Sequence, residues 1–458
     1  MKGLTMRSRA IKRIVVRHLF GTYDYDLSPS DKSENPDRLI ILYGDNGSGK
    51  TTILRMLFHL LAPETGQGHK TALATIPFSR FDVHFTSGDH VWAERPEGKL
   101  TGGFTAGLRY GKRKEHTTDF RDSEEGGIKA SPGTKKFLQE LSKLDVGLYF
   151  LSDDRIVRLA GLERRDLLFA HTEILEEEII MSSDLSSQVV RRRRPIEPEQ
   201  RAQQILVQSL KRAEQWIQSQ AVRSASQGES SVNTLYGEIL KRIARLPLEQ
   251  ATTESRAVEQ LGRRIAKLEA RSREYSKYGL QPEFNGKDIL GIVKSVPASH
   301  VTVITTVLTP YIESVEKKLD AMERLQKQVD ALVRLLNSFY TRKQLSYEIH
   351  DGFRISTEDG KPLQPEMLSS GERHLLLLFC NIVQTLDRPS IFIIDEPEIS
   401  LNIKWQRRLL SALLECATDN PVQYLFATHS LELLAQYGNN AIKLAHTMEE
   451  GHGTKAHA

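Results

Sequence analysis

The chain has 458 residues, of which 39% are hydrophobic and 27% are charged, so it can form a full-sized core in two or three domains. Lysine and arginine exceed aspartate and glutamate by 63 minus 59, or four, and this small excess does not indicate a nucleic-acid binder. Two cysteines exclude a disulfide framework and favour a reducing compartment, so we expect a cytoplasmic protein. Neither a secretory signal nor a run as long as a membrane span is found, so we expect no membrane partner.

The first predicted domain covers residues 1–155. Short β-branched runs predict strands at 11–19 and 38–43, because a stretch rich in Gly, Ser, Pro and Asp separates them. A helix is predicted to follow at 51–61. Further short strands, such as 147–151, alternate with Gly-rich polar loops, so we expect a sheet-rich part that includes an antiparallel lobe.

A large helical insertion is predicted for residues 156–343, where the sequence is charged, rich in glutamine and poor in glycine. Its most regular part, 308–340, has apolar residues at alternating steps of four and three, which predicts one helix with a coiled-coil seam. The helix at 254–275 is the expected packing partner, and a second subunit is the alternative. The arginine run at 191–194 lies among glutamates, so it fits a solvated loop or a charged patch as well as a phosphate track.

The third predicted domain covers residues 344–445. Strand-like alternation returns at 344–356, and helices then alternate with apolar strands, which predicts an α/β fold with a mainly parallel sheet. The last of these strands are predicted at 390–394, 423–426 and 441–444. The tail at 446–458 shows no periodicity, so we expect it to be disordered.

Residues 44–51 read Gly-Asp-Asn-Gly-Ser-Gly-Lys-Thr between an apolar strand and a helix, which is the pattern of a P-loop. Its glycines let consecutive N–H groups face a polyphosphate, and the helix N-terminus adds a positive dipole end. We expect Lys50 to reach the β and γ phosphates of ATP and the Thr51 hydroxyl to bind Mg²⁺. The residues predicted to bind nucleotide here are Asn46, Gly47, Ser48, Gly49, Lys50, Thr51 and Thr52.

An apolar strand ends in Asp395 and Glu396, and a buried strand of this kind can deliver carboxylates to the edge of a sheet. We expect Asp395 to be the second Mg²⁺ ligand and Glu396 to orient and polarise the attacking water. Alone, such a pair is often a solvated strand end. The P-loop upstream makes the catalytic interpretation the stronger one.

Two further segments have the residue types that an anion site needs. Ser369, Ser370 and Gly371 lie in a Leu-Ser-Ser-Gly-Glu run just before a predicted helix, where hydroxyl and N–H groups can meet an anion. His429 follows the apolar strand at 423–426 in an Ala-Thr-His-Ser run. Alone, the first would be an ordinary helix N-cap and the second a packed or solvent-facing histidine.

The four motifs, in this order, resemble the head of an ABC ATPase. The resemblance implies that residues 1–155 and 344–445 are the two halves of one head, and that two heads form a homodimer. Ser369, Ser370 and Gly371 of one copy would then cap the ATP on the P-loop of the other copy. His429 is similar to the switch histidine that senses the γ phosphate, so Lys50, Glu396 and His429 are the predicted catalytic residues.

The sequence departs from the ABC pattern at two places. In the Leu-Ser-Ser-Gly-Glu run at 368–372, which corresponds to the ABC signature, the third position is Ser370, where transporters usually have Gly. Near residues 151–155 there is no clear Q-loop glutamine, and Asp153 and Asp154 stand there instead. The equivalent of that γ-phosphate sensor therefore stays open.

The insertion is far too long for a transporter domain, and it resembles the soluble branch that includes RecF, SMC and OLD-type proteins. Residues 395–407 and 347–355 look most like stand-alone ATPases of bacterial antiphage systems, PARIS first and Septu second. That resemblance implies slow, regulatory ATP hydrolysis in a homodimer or higher homo-oligomer. It also implies a separate nuclease effector, of Toprim type more than HNH type, and a phage protein as trigger.

Two other functions stay open at this point. One is a DNA-repair ATPase similar to RecF, in which the heads clamp DNA, and the arginine run at 191–194 is its best support. The other is a regulatory head that binds ATP without turnover, against which the presence of Glu396 argues.

Overall fold

The computed structural model describes residues 9–30, 33, 35–64, 67–123, 127–152, 157–161, 198–228, 254–295, 298–385, 388–418 and 420–444. The chain divides into two compact units, which are taken separately below. The first unit comprises Met1–Ile205, Ser369–His374 and Gln384–Ala458, and the second comprises Leu206–Leu368 and Leu375–Val383. The predicted tail, the arginine run and the pair Asp153 and Asp154 lie outside the described residues.

The elements are named here in chain order. The strands are β1 (Ile11–Leu19), β2 (Tyr23–Leu27), β3 (Leu39–Tyr43), β4 (Arg80–Phe85), β5 (His90–Glu94), β6 (Phe104–Arg109), β7 (His116–Asp122), β8 (Ile128–Ala130), β9 (Gly147–Leu151), β10 (Val157–Ala160), β11 (Lys343–Glu348), β12 (Gly352–Thr357), β13 (Pro362–Leu363), β14 (Ser390–Asp395), β15 (Val422–Thr428) and β16 (Ala441–Lys443). The α-helices are α1 (Lys50–Leu61), α2 (His69–Thr75), α3 (Thr134–Ser142), α4 (Pro198–Gly228), α5 (Glu254–Ser276), α6 (Gly286–Ser295), α7 (Ala298–Phe339), α8 (Ser370–Val383), α9 (Ile403–Cys416) and α10 (Leu431–Tyr437).

The first unit contains a six-stranded sheet in the order β10-β9-β14-β15-β3-β16. Its neighbours pair in parallel except for β10, which runs antiparallel to β9. Strand β14 is buried along its whole length, as expected for a parallel strand that is covered on both faces. The carboxyl ends of β14, β15 and β3 lie side by side, because these strands are neighbours with the same direction.

A seven-stranded antiparallel sheet, in the order β2-β1-β4-β5-β6-β7-β8, completes the first unit. Helix α1 contacts β9, β14 and β15 of the parallel sheet and β5 of the antiparallel sheet. It is apolar on nearly all sides, and the side chains of Met56, Leu57 and Phe58 are fully buried. The predicted α/β class with a mainly parallel sheet and an antiparallel lobe is therefore confirmed.

A buried lysine closes the C-terminal end of α1. The Nζ atom of Lys70 donates hydrogen bonds to the carbonyl oxygens of His59, Leu60 and Ala62 at 2.7, 2.7 and 2.9 Å. These carbonyls have no partner within the helix, and a cation there also meets the negative end of the helix dipole. The helix that starts with the P-loop lysine is thereby held at its far end as well.

The second unit packs α7 against α5, the partner that the sequence predicted for the 308–340 helix. Arg264 pairs with Glu316 at 2.7 Å, and the hydroxyl of Tyr275 donates to the carbonyl oxygen of Leu319 at 2.9 Å. Helix α7 begins at Ala298, ten residues before the predicted start, so Pro310 lies inside it rather than near its beginning.

The sequence predicts a boundary between the helical insertion and the third domain at residues 343 and 344. The boundary between the two units lies elsewhere, because the second unit continues to Leu368. Strands β11 to β13 form a separate three-stranded sheet that belongs to the second unit. Contacts within that unit explain its place, since Asn337 of α7 bonds to both backbone groups of Leu345 and the carboxylate of Glu214 accepts the N–H of Phe353. The sequence pattern alone could not show these long-range bonds.

Candidate functional site

The loop between β3 and α1 is shaped by two left-handed glycines. Gly47 has φ 83° and Gly49 has φ 89°, a conformation that costs glycine nothing and other residues about 1 kcal/mol or more. A Cβ atom on Gly49 would lie 2.7 Å from the Cδ2 atom of Leu19, so the close approach of β1 also requires glycine. Asn46 and Gly47 are exposed at the tip of the loop, and Thr52 is half-buried in the first turn of α1.

Lys50 lies under this loop with 5% of its surface exposed. Its Nζ atom donates to the carbonyl oxygens of Gly44 at 2.9 Å and Asp45 at 3.1 Å. Burial lowers the pKa of Lys50, and the negative charges of Glu396 and Asp395 oppose that shift. A buried cation beside carboxylates is suited to meet a phosphate anion.

Tyr25 of β2 supports the loop from below. Its hydroxyl donates to the carbonyl oxygen of Ser48 at 2.8 Å, and the side chain is 4% exposed. Tyr25 is therefore a support of the P-loop. The exposed ring of Phe20 lies beside the position that a Cβ on Gly49 would take.

The residues of this loop fit Mg²⁺ and a polyphosphate. The Thr51 Oγ1 atom donates to Asp395 Oδ1 at 3.0 Å, so the two predicted metal ligands meet. The Oγ atom of Ser48 is buried and has no hydrogen-bond partner in the described part of the chain. Helix α1 starts without a side-chain cap and without an acid in its first turn. The Ser48 hydroxyl and the N–H groups at the start of α1 suit an anion. The oxygens of Thr51 and Asp395 suit a hard cation.

Glu396 follows β14 in a left-handed conformation with φ 50°, which is unusual for a residue with a side chain. Its Oε1 atom lies 3.5 Å from the Nε2 atom of His429. Burial, contact with Glu398 and the charge of Asp395 together raise the pKa of Glu396 well above the usual range. Burial, together with the charge of Lys50, lowers the pKa of His429, which favours the neutral ring.

Glu398 is a site residue whose side-chain role the sequence did not predict. Its Oε1 atom accepts hydrogen bonds from the Thr428 hydroxyl at 2.5 Å and from the backbone N–H groups of His429 and Ser430 at 3.0 Å each. The second oxygen, Oε2, is buried and takes no donor from the described residues. The signal in the sequence was a third acid, Glu398 itself, at the end of the Ile-Asp-Glu-Pro-Glu run.

The signature residues occupy the N-terminal end of α8. Ser369 and Glu372 form a reciprocal capping box, in which the Ser369 N–H donates to Glu372 at 2.7 Å and the Glu372 N–H donates to the Ser369 hydroxyl at 3.3 Å. A Cβ on Gly371 would lie 2.6 Å from the carbonyl oxygen of Ser400, so this position requires glycine. Within the described ranges, no hydrogen bond joins Ser369, Ser370 or Gly371 to the P-loop of the same chain.

The signature helix is nevertheless tied to the end of β14. His374, which is 3% exposed, lies with its Nε2 atom 3.1 Å from the carbonyl oxygen of Pro397. Since a carbonyl only accepts, this ring nitrogen is the donor. The turn 396–398 therefore bonds to α8 through its backbone and to the His429 segment through its side chains.

Asp82, His84 and His90 form another cluster with metal-ligand chemistry, on β4 and β5. Arg80 donates to both carboxylate oxygens of Asp82, and His90 Nε2 lies 2.9 Å from its Oδ1 atom. The carboxylate is thus already neutralised by its neighbours, and the cluster is accounted for as a hydrogen-bond network.

Comparison with known proteins finds a family model that part of this chain resembles. Residues 306–435 match a family model whose description names an AAA domain and the AbiEii toxin of a type IV toxin–antitoxin system. That segment includes the signature, Asp395, Glu396 and His429. No curated protein matches the chain.

Two SMC head domains are among the solved structures that the chain matches. One is the Smc head domain of Pyrococcus furiosus, with an extended coiled coil and bound to the C-terminal domain of ScpA, at 12% identity and a TM-score of 0.37. That alignment covers 95% of this chain and 93% of the other chain. The other is the SMC head domain of Thermotoga maritima, at 10% identity and a TM-score of 0.33, covering 93% and 91%.

The arrangement contains the kinds of groups that nucleoside triphosphate hydrolysis needs. The ammonium of Lys50, the oxygens of Thr51 and Asp395, the carboxylate of Glu396 and the ring of His429 come from three separated segments and meet at the ends of three adjacent strands. Among the described helices, none is long and apolar enough to cross a membrane.

Proposed function

We propose that this chain, which has the fold of an ABC-type ATPase head, hydrolyses ATP slowly in a site that a second copy completes. The observation that carries the proposal is the meeting of Thr51 with Asp395 and of Glu396 with His429 at one edge of the parallel sheet. Among the described contacts, the signature residues Ser369, Ser370 and Gly371 bond to their own helix and not to their own P-loop, which supports their use on the ATP of a partner copy.

The chemistry divides among the residues at this edge. Mg²⁺, held by Thr51 and Asp395, would neutralise charge on the phosphates. Lys50 would exchange the loop carbonyls that it now contacts for phosphate oxygens. Glu396 would hold and polarise the attacking water with its carboxylate. His429 would report the γ phosphate through its contact with Glu396.

In the cell, we propose that the chain is the ATPase of a bacterial antiphage system of the PARIS or Septu kind. It would form a homodimer or a higher homo-oligomer, respond to a phage protein and control a separate nuclease, of Toprim type more than HNH type. The match of residues 306–435 to a family described by a type IV toxin–antitoxin system supports a role beside a second gene product. Both cysteines, Cys380 and Cys416, are free and buried, which supports a reducing cytoplasm.

The nucleotide chemistry is tested by two variants with opposite effects. Lys50→Ala should lose ATP, because the buried cation is removed. Glu396→Gln should bind ATP and fail to hydrolyse it, so that the ATP-bound assembly persists in gel filtration. Glu432→Gln, which breaks an exposed pair with Arg407, is the matched control and should behave as the unchanged protein. Equal nucleotide retention by the first two variants would overturn the assignment.

The cellular role is tested by co-purification of the tagged chain with the products of its neighbouring genes, followed by mass determination in ATP and Mg²⁺. A nuclease bound to a homo-oligomer is the expected result. A protein without a partner that dimerises on DNA, with affinity that falls steeply with salt, would replace this proposal by the repair clamp.

A further inference from the structure

The segment 428–430, which runs from the end of β15 to the start of α10, carries the exposed ring of His429 between the buried Thr428 and the half-buried Ser430. The side chain of His429 is 40% exposed, so packing alone does not fix where the ring lies. The Ser430 hydroxyl donates to Gln406 at 2.8 Å, and the backbone N–H groups of His429 and Ser430 share one anchor, which is the carboxylate of Glu398. The position of the ring relative to Glu396 therefore depends on that anchor.

We propose that Glu398 is a positioning residue, which holds segment 428–430 so that the His429 ring stays against Glu396. The proposal rests on the proposed ATP hydrolysis for its kinetic consequence and on the hydrogen bonds alone for its structural one. Glu398 lies on the turn that begins with Glu396, so one short turn carries both the water-orienting carboxylate and the support of the histidine.

Three donors from consecutive residues converge on one oxygen of Glu398. The Thr428 hydroxyl and the N–H groups of His429 and Ser430 all reach Oε1, and the N–H of Ser430 also bonds to the Thr428 hydroxyl at 2.9 Å. A carboxylate that accepts several N–H groups forms stronger bonds than a neutral acceptor does. The donors span the histidine on both sides, which fixes the direction in which its Cβ leaves the backbone.

The same turn is held on its other side. The carbonyl oxygen of Pro397 accepts from His374 of α8, and the N–H of Glu396 donates to the carbonyl oxygen of Ala427 at 2.9 Å. Pro397 itself has a fixed φ, which limits how far the turn can open. Glu398 is thus attached to a supported turn, and the 428–430 segment takes its position from that turn.

The test compares Glu398→Ala and Glu398→Gln with Glu432→Gln as control. Glu432 lies in the first turn of α10 and, in the part of the chain that the structure describes, pairs with Arg407 rather than with segment 428–430. Glu398→Ala should lower kcat by roughly 10- to 100-fold, because a catalytic group displaced by about 1 Å can cost that much. The Kd for ATP should stay within about threefold, since Lys50 and Thr51 are untouched. Glu398→Gln keeps one acceptor oxygen, so its kcat should lie between that of Glu398→Ala and that of Glu432→Gln.

A double-mutant cycle separates positioning from a general loss of structure. If Glu398 acts through His429, then Glu398→Ala in a His429→Ala background should lower kcat no further. An equal loss in both backgrounds, or an unchanged kcat in the single variant, would overturn the proposal. If Glu398→Ala does not fold, Thr428→Val removes one of the three donors at nearly constant volume and serves in its place.

Hydrogen exchange provides a readout that does not depend on turnover. The amides of His429 and Ser430 should exchange faster in Glu398→Gln and Glu398→Ala, and at the unchanged rate in Glu432→Gln. If the protein proved to have no ATPase activity, faster exchange would still support the positioning role while the proposed function failed. Unchanged exchange in all variants would contradict the positioning role while leaving the ATPase proposal in place.

Discussion

The hydroxyl of Thr51 donates to the carboxylate of Asp395 at 3.0 Å, although 344 positions separate the two residues in the chain. The first residue follows the P-loop and the second ends β14. Their contact makes a pair of oxygens that can hold Mg²⁺ beside a bound nucleotide.

We predict that Thr51→Val reduces the Mg²⁺-dependent part of ATP affinity by at least about tenfold, because one ligand oxygen is lost. Thr51→Ser keeps the hydroxyl and should retain most of the Mg²⁺-dependent ATP affinity. Calorimetric titration with ATP in Mg²⁺ and in EDTA measures the difference. An equal loss of affinity in both buffers would mean that Thr51 supports the loop and does not bind the metal.

Tyr25→Phe should weaken ATP binding several-fold and lower stability by about 1–2 kcal/mol, because the carbonyl oxygen of Ser48 loses its donor. Burial raises the pKa of Tyr25 to about 12, so the hydroxyl remains a donor across the usable pH range. Thermal unfolding and nucleotide titration check both effects. Tyr311→Phe, on an exposed ring of α7, is the control, and an equal effect there would contradict the prediction.

Gln423 of β15 acts as a strand partner for β1. Its side chain is fully buried, accepts the N–H of Ile11 at 2.7 Å and donates to the Ile11 carbonyl oxygen at 2.9 Å. Gln423→Leu should cost roughly 2–5 kcal/mol in the free energy of unfolding, because two buried backbone groups lose their partners. Chemical denaturation measures it, and the exposed Gln344→Leu should shift stability by no more than about 0.5 kcal/mol.

Acid should destabilise the protein through His59. Burial, with the nearby His69 and Lys70, lowers the pKa of His59 to about 3. The unfolded chain takes up this proton near pH 6.5 and the folded chain does not, so stability falls as the pH drops below 6.5. At pH 5 the loss should be about 2 kcal/mol.

The variant His59→Asn keeps a polar side chain that does not titrate, so its stability should change less between pH 7.5 and pH 5. Denaturation curves at both pH values measure the difference. His350→Asn, on an exposed turn, is the control. A variant at position 59 with the full acid loss of the unchanged protein would contradict the prediction.

Local patterns predicted much of the fold because they depend on near neighbours. The runs at 11–19 and 147–151 form strands with those bounds, since β-branched and aromatic residues alternate there between turn residues. Strand β2 was missed, because its Tyr-Asp-Tyr-Asp-Leu sequence looks like a polar loop. It forms a strand by pairing with β1, which only the folded chain brings beside it.

The sequence by itself determined the P-loop, the acidic end of β14 and the order of the four motifs, because each is a short run whose chemistry is local. Only the tertiary structure decided that Glu398 holds the His429 segment, that Tyr25 holds the P-loop, and that β11 to β13 join the helices. These contacts join residues that are far apart in the chain or depend on side-chain direction. Neither property follows from residue type or spacing, since both arise when the strands pair and the side chains pack.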